Sequence, residues 1–228
     1  MDHILDNPIY NALGSGNENF SSGNAGARCF PDDISPLAGL KENSPRDFDA
    51  LYELSAAGRF FILFTPGEIE VPGHWKVLER MKLLQMVCER LVAGAGRKGE
   101  FTTLEERHVQ DMLALTKLTN PGPFLPGTIK LGNYIGILSE GRLIAMAGQR
   151  LQPGPYIEIS AVCTHPDHLG HGYASLLIRE QIRRILAASA IPVLHSREDN
   201  SSAVRLYQKL GFTTRRRMMA YALQKQGS

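Results

Sequence analysis

The segment Ile159 to Leu177, ISAVCTHPDHLGHGYASLL, constrains this chain more than any other stretch. An apolar run with strand character ends at Thr164, Pro166 opens a turn, and Gly170 and Gly172 lead into a helix. Such a connection sets the unpartnered first-turn N–H groups and the positive end of the helix dipole at the end of a strand. That is an anion site by construction, because glycines let the backbone wrap a phosphate without a Cβ in the way. Taken alone, the turn reads equally well as a tight strand-to-helix connection. It is neither a Walker loop, since no Gly-Lys-Ser/Thr occurs, nor a full Gly-x-Gly-x-x-Gly dinucleotide fingerprint.

The rest of the second half surrounds this segment with short elements. Thr103 is expected to cap a helix from Leu104, with Val109, Met112, Leu113 and Leu115 apolar. Asn120 to Gly127, rich in proline and glycine, must be a loop. Tyr134–Leu138 and Leu143–Leu151 read as strands of a hairpin turning at Ser139-Glu140-Gly141. Gly172 to Ala188 is an amphipathic helix with Ala174, Leu177, Ile178, Ile182, Ile185 and Leu186 on one face. Pro192–His195 is a short strand, Ser201–Leu210 a helix ended by Gly211, and Met218–Leu223 a closing strand.

The first hundred residues are less periodic. Asn11 to Ala27 is rich in Gly, Asn and Ser, which suggests a loop, yet Phe20 to Phe30 suits an irregular strand. Pro45 begins a helix capped by Ser44, and Arg59–Phe64 reads as a buried strand. Trp75–Leu91 fits either one strand or a strand and a turn of helix, and Ala93–Gly99 is the best linker. The expected division is 1–99 and 100–228, with an α/β or α+β architecture built on a mixed, curved sheet flanked by helices.

A chain of 228 residues can bury a substantial core. Its formal net charge of +2 gives no electrostatic case for nucleic acid. Three separated cysteines, Cys29, Cys88 and Cys163, argue against a disulfide framework. No apolar run approaches the roughly 20 residues of a membrane helix, and Met1 to Ile4 do not start like a signal peptide. The expected setting is cytoplasmic, as monomer or homodimer, with no membrane partner.

Downstream of the glycine turn, Asn200, Ala203, Tyr207, Gly211 and Phe212 are spaced as Asn-x-x-Ala-x-x-x-Tyr-x-x-x-Gly-Phe. Together the two segments resemble the GNAT superfamily of N-acetyltransferases. Its usual Gln/Arg-x-x-Gly-x-Gly/Ala is matched here by Leu169-x-x-Gly172-x-Ala174, and the wording Val162 to Pro166 looks like the branch related to glycine N-acyltransferases. The resemblance covers residues 103 to 224. It departs at Leu169, where the family has Gln or Arg. It implies a GNAT-like fold whose N-terminal half is a second, degenerate GNAT-like unit without a phosphate loop.

The resemblance also implies a chemistry. Acetyl-CoA, or another acyl-CoA, is the co-substrate, and a small-molecule amine or amino acid is the acceptor in a ternary complex. Acylation of a protein N-terminus or lysine, and a non-catalytic acyl-CoA-binding module, are the alternatives. Val162 and Thr164 would bond the pantetheine arm along a freed strand edge. Leu169, Gly170, His171, Gly172, Tyr173 and Ala174 would form the pyrophosphate loop.

Tyr207 would protonate the leaving thiolate, or else is a core tyrosine. Asn200 would contact CoA, cap the helix that starts at Ser201, or do both. Glu158, amid apolar neighbours, would be a general base if burial raises its pKa, or else a solvated edge residue. Cys163 beside His165 lacks an orienting third group for nucleophilic catalysis, and His165, His168 and His171 have irregular spacing for a metal, so neither role is assigned. Arg205, Lys209 or the run Arg215–Arg217 would meet the 3′-phosphate, the run being otherwise a solvated strand end. Phe124 and Leu125 would wall the acceptor site.

Overall fold

A computed structural model describes residues 3–92 and 99–226. A turn at Ile4–Asp6 and helix α1 (Pro8–Ala12) precede a small three-stranded sheet, β1 (Ser22–Gly23), β2 (Ala27–Cys29) and β3 (Ala38–Leu40). Helix α2 (Pro45–Glu53) starts as its sequence predicts. The Ser44 side chain accepts from the Asp47 amide, and Asp47 accepts in return from the Ser44 amide.

The remaining elements are β4 (Phe60–Thr65), β5 (Trp75–Val87), β6 (Thr102–Thr103), α3 (Val109–Thr119), β7 (Ile135–Ser139) and β8 (Arg142–Gln149). After them come β9 (Tyr156–Thr164), α4 (Tyr173–Ala187), β10 (Ile191–Arg197), α5 (Ser201–Leu210) and β11 (Thr213–Lys225). The eight strands β4 to β11 form one sheet in the order β4-β11-β5-β10-β9-β8-β7-β6. β9 and β10 run parallel, whereas the other named ladders of this sheet are antiparallel.

Several expectations shift. Trp75–Val87 is a single strand of 13 residues, and β11 extends well beyond Met218–Leu223 in both directions. Thr103 does not cap a helix. It pairs with Ile135 at the sheet edge, and α3 begins only at Val109 after a 3-10 turn at Glu106–His108. The 1–99 and 100–228 division does not divide the sheet, because β11 lies between β4 and β5, and β10 lies beside β5. The two parts share one hydrogen-bonded layer, so 1–99 does not close a large sheet of its own. Most of the expected linker, 93–98, lies outside the described residues.

Layers cover both faces of the sheet. Ile178, Ile182 and Ile185 of α4 pack with Leu210 of α5 against Met86, Ile159 and Leu194. Each fully buried side chain of this size contributes about 1.5–3 kcal/mol by leaving water. On the opposite face, Ile9, Phe30, Ile34 and Leu37 from the N-terminal segment pack on Ile62, Phe64, Leu83 and Met218. Helix α3 covers β8 and β9 through Met112 and Leu115, which meet Met146 and Cys163. Among the described residues, no helix is long and apolar enough to cross a membrane.

Candidate active site in the cleft between β9 and β10

The parallel ladder pairs Ile191 with Tyr156, Pro192 with Ile157 and Val193 with Glu158, and then it stops. Past Glu158, β9 bonds only to β8, and β10 continues along β5 to the Arg197–Leu83 pair. The two strands therefore part, and the edge of β9 from Ile159 to Thr164 is left without a ladder on the β10 side. A bulge sharpens the turn-away. Between the pairs Met146–Cys163 and Gly148–Ser160, two residues of β9 oppose one of β8. One of the two, Ala161, takes a left-handed φ of 53°.

At the far end of β9 the chain makes a 3-10 turn at Pro166–His168 and enters α4. Gly170 and Gly172 both have φ of 79°, and a Cβ on either would meet open space. No side chain caps α4, so its first-turn amides point into that opening. Leu169 is turned outward, 62% exposed. The His171 ring donates from Nδ1 to the Leu169 carbonyl (2.9 Å) and stacks on Tyr173 at 5.7 Å. Among the described residues the buried Thr164 hydroxyl has no hydrogen-bond partner, which suits a group that faces a ligand. Unladdered strand, open glycine turn and orphaned hydroxyl together fit a long thioester cofactor ending in phosphates.

Helix α5 borders the same side. Val162 and Tyr207 both pack onto the cluster containing Ile159 and Ile178. The Tyr207 ring meets Phe212 edge-on at 6.0 Å, and burial pushes its phenol above the ordinary value, so it keeps its proton. The Asn200 Oδ1 accepts from the Ala203 amide (3.2 Å), which makes it the cap of α5.

Glu158 occupies the apex, on the face opposite Ile157 and Ile159. It is 1% exposed, and its carboxylate accepts from Arg150 Nε (2.9 Å) and Nη2 (2.8 Å) and from His195 Nδ1 (2.7 Å). Burial alone would push this carboxyl up. The Arg150 charge and its two hydrogen bonds, with the His195 bond, outweigh burial and hold it at about 2. The expected raised pKa is thus corrected, and Glu158 is not a solvated edge residue.

A stability effect follows with a definite sign. The folded value lies below the ordinary 4.5, so the stabilisation is complete above about pH 4.5 and is lost as pH falls toward 2. Thermal melts should show wild type losing stability across that window, and Glu158→Gln should flatten the slope by close to one proton. An unchanged slope would place the acid sensitivity elsewhere, for example at Glu180, held near 2 by Arg183 and Arg184 on a more exposed face.

The network continues beyond residues that the sequence pointed to. Gln85 Nε2 bonds His195 Nε2 (3.0 Å) and the Leu5 carbonyl (2.8 Å), and Arg215 donates to Gln85 Oε1 (2.7 Å). Asp6 accepts from Arg215 (2.8 Å) and Arg216 (2.7 Å), while Arg217 pairs with Glu198 (2.6 Å). Each arginine of the basic run is therefore engaged in an ion pair, Arg215 and Arg216 sharing Asp6. Arg205 and Lys209 remain exposed on α5.

Cys163 faces α3, and burial pushes its thiol up to about 11, which disfavours a nucleophilic thiolate. The rings of His165, His168 and His171 stand 5.8 and 6.5 Å apart in sequence, and no group of three or more metal-binding side chains occurs among the described residues. The loop after α3 places Phe124 edge-on to Tyr134 at 5.6 Å, beside an open pocket of about 320 Å³ that Thr116 and Lys117 also line.

A sheet that opens at the parallel pair of β9 and β10, beside a glycine-led helix, has the form of an acetyltransferase fold. Comparison with known proteins agrees. A family model described as FR47-like protein matches residues 134–221. A solved structure from Novosphingobium aromaticivorans, described as an acetyltransferase of the GNAT family, is 35% identical, covers 99% of this chain and 100% of its own, and superposes with a TM-score of 0.90. A GCN5-related N-acetyltransferase from Kribbella flavida shares the fold at 16% identity, covering 96% of this chain and 95% of its own, with a TM-score of 0.65. The search of curated proteins gave no significant match. The chain belongs to the GNAT family and is an acetyltransferase of GNAT type.

Proposed function

We propose that the chain moves an acetyl or short acyl group from acyl-CoA to the amine of a small molecule or amino acid, with both substrates bound together. The observation that carries this reading is the departure of β9 from β10 beside the uncapped start of α4. Bound acetyl-CoA supplies an activated thioester carbonyl. The backbone of Val162 and Thr164 offers the freed strand edge to the pantetheine arm, and the Thr164 hydroxyl gains a partner. The amides from Leu169 through Gly170, His171, Gly172 and Tyr173 to Ala174 hold the pyrophosphate. Arg205 and Lys209 are the exposed cations for the 3′-phosphate, and Asn200 keeps its side-chain N–H groups for the cofactor while its oxygen caps α5.

Tyr207 donates a proton as charge develops on the leaving sulfur. Glu158 is assigned to holding the apex of the cleft, because its carboxylate is enclosed and already bonded. The acceptor then enters as the free amine or gives its proton to water. An amino-acid acceptor is supported by the glycine N-acyltransferase-like wording at Val162 to Pro166. Lys117 and Phe124 beside the open pocket suit a carboxylate and an apolar side chain.

The test separates phosphate recognition from the rest. Acetyl-CoA should raise the melting temperature, and dephosphorylated pantetheine should do so far less. Gly172→Asp places a carboxylate where phosphate is expected, in open space but with some strain in the left-handed backbone there. The variant should fold and lose the acetyl-CoA shift. Equal protection by both compounds, or a normal shift in Gly172→Asp, would remove the phosphate role from this loop.

A further inference from the structure

We propose that Asp6, Arg215, Gln85 and His195 form a positioning chain that sets where β10 leaves β9 and so governs acyl transfer in the cleft. The proposal rests on the acyl-CoA reading above. The last backbone pair of the parallel ladder is Val193 with Glu158. Two residues further along β10, His195 donates to Glu158 at 2.7 Å. The ladder has ended there, so this side-chain bond is the tie that spans the strands as they part.

The chain has a single polarity. Arg215 can only donate, and the Leu5 carbonyl can only accept. Between them they fix the Gln85 amide, with Oε1 toward Arg215 and Nε2 toward Leu5. Gln85 Nε2 must then donate to His195 Nε2, which makes that nitrogen the acceptor. The N–H that His195 aims at Glu158 is therefore the one on Nδ1. A reversal at any member would set buried donor against donor.

The inner members lie deep, with Gln85 at 0% exposure, and the Phe64 ring packs on His195 at 4.9 Å. Arg150 closes the other side of Glu158, and Asp6 anchors the outer end by accepting from Arg215 and Arg216. Leu5 and Asp6 belong to the Ile4–Asp6 turn, so this chain of hydrogen bonds joins the N-terminal segment to the cleft apex through the Leu5 carbonyl and the Asp6 carboxylate. Apolar residues of similar volume generally stabilise a core as well as such a buried network does. Geometry at the apex is what the polar chain supplies in addition.

Steady-state kinetics of full-length His195→Phe and Gln85→Met test this. Phe keeps the contact with Phe64 and removes both hydrogen bonds. Met keeps the volume of Gln85 and leaves the His195–Glu158 bond. Both variants should lose about tenfold or more in kcat, while the KM for acetyl-CoA stays within about threefold, since the phosphate loop is untouched. Should His195→Phe fail to fold, Gln85→Met carries the same test. A purely structural role would lower the melting temperature and leave kcat of the folded variants near wild type, and that result overturns the proposal. A wild type that consumes no acetyl-CoA with any amine overturns the acyltransfer reading itself, a different pattern from active wild type with equally active variants.

Discussion

Tyr207→Phe should lower turnover by about ten- to a thousandfold, the range expected when a general acid is removed, with melting temperature and acetyl-CoA affinity near wild type. The thiolate of CoA, with a pKa of roughly 8 to 9, can leave unprotonated but gains from a donor that is present as charge develops. Burial pushes the Tyr207 phenol up, so the proton is held at neutral pH and is available to give. Phenylalanine keeps the ring against Phe212 and the cluster around Ile178, and removes only the hydroxyl. If Tyr207 serves packing alone, Tyr207→Phe is fully active and Tyr207→Ala is destabilised by a cavity. Turnover and melting of both variants separate the two roles.

Arg150→Met should destabilise the fold by about 3–5 kcal/mol, the usual result of leaving one member of a buried ion pair without its partner. Glu158 is 1% exposed and would keep only the His195 bond. Protonation is its remaining escape, so the variant should also gain stability as pH falls toward about 4.5, above the window in which wild type loses it. Adding Glu158→Gln to Arg150→Met removes the stranded charge and should recover a large part of the loss, and a double-mutant cycle from denaturant melts measures it. Additive losses would show that the pair contributes nothing through its mutual contact.

These residues differ in how well the sequence announces them. The strand, turn and glycine-led helix from Tyr156 to Ala187 are legible because each signal is local: alternation, Pro166, two glycines and an amphipathic face. The hairpin is equally legible, since Glu140 and Gly141 carry the positive φ values, 49° and 76°, that such a turn requires. Thr103 misleads because a capping residue before a helical pattern also suits an edge strand, and pairing with Ile135 wins. The interleaving of β11 between β4 and β5 has no local signal at all, and the basic run Arg215–Arg217 hides the start of that strand.

The candidate site divides in the same way. The glycine turn and Tyr207 could be placed from spacing. The environment of Glu158 could not, because His195, Arg150 and, behind His195, Gln85 come from three different strands or their ends. One signal was present. Arg150 and Glu158 are equidistant from Gly154 in the turn that folds β8 back on β9, so opposite charges were set to meet. Asp6 and Leu5, more than two hundred residues from Arg215 in the one case and eighty from Gln85 in the other, lie beyond the reach of any pattern.

A crystal structure of the complex with acetyl-CoA tests the central claim most directly. The pyrophosphate should sit against the amides of Gly170 to Ala174, and the pantetheine arm should lie between β9 and β10 with bonds to Val162 and Thr164. The thioester sulfur should come within hydrogen-bond reach of the Tyr207 hydroxyl, directly or through one water. Acetyl-CoA bound at another surface, with β9 and β10 still open and empty, would contradict the account.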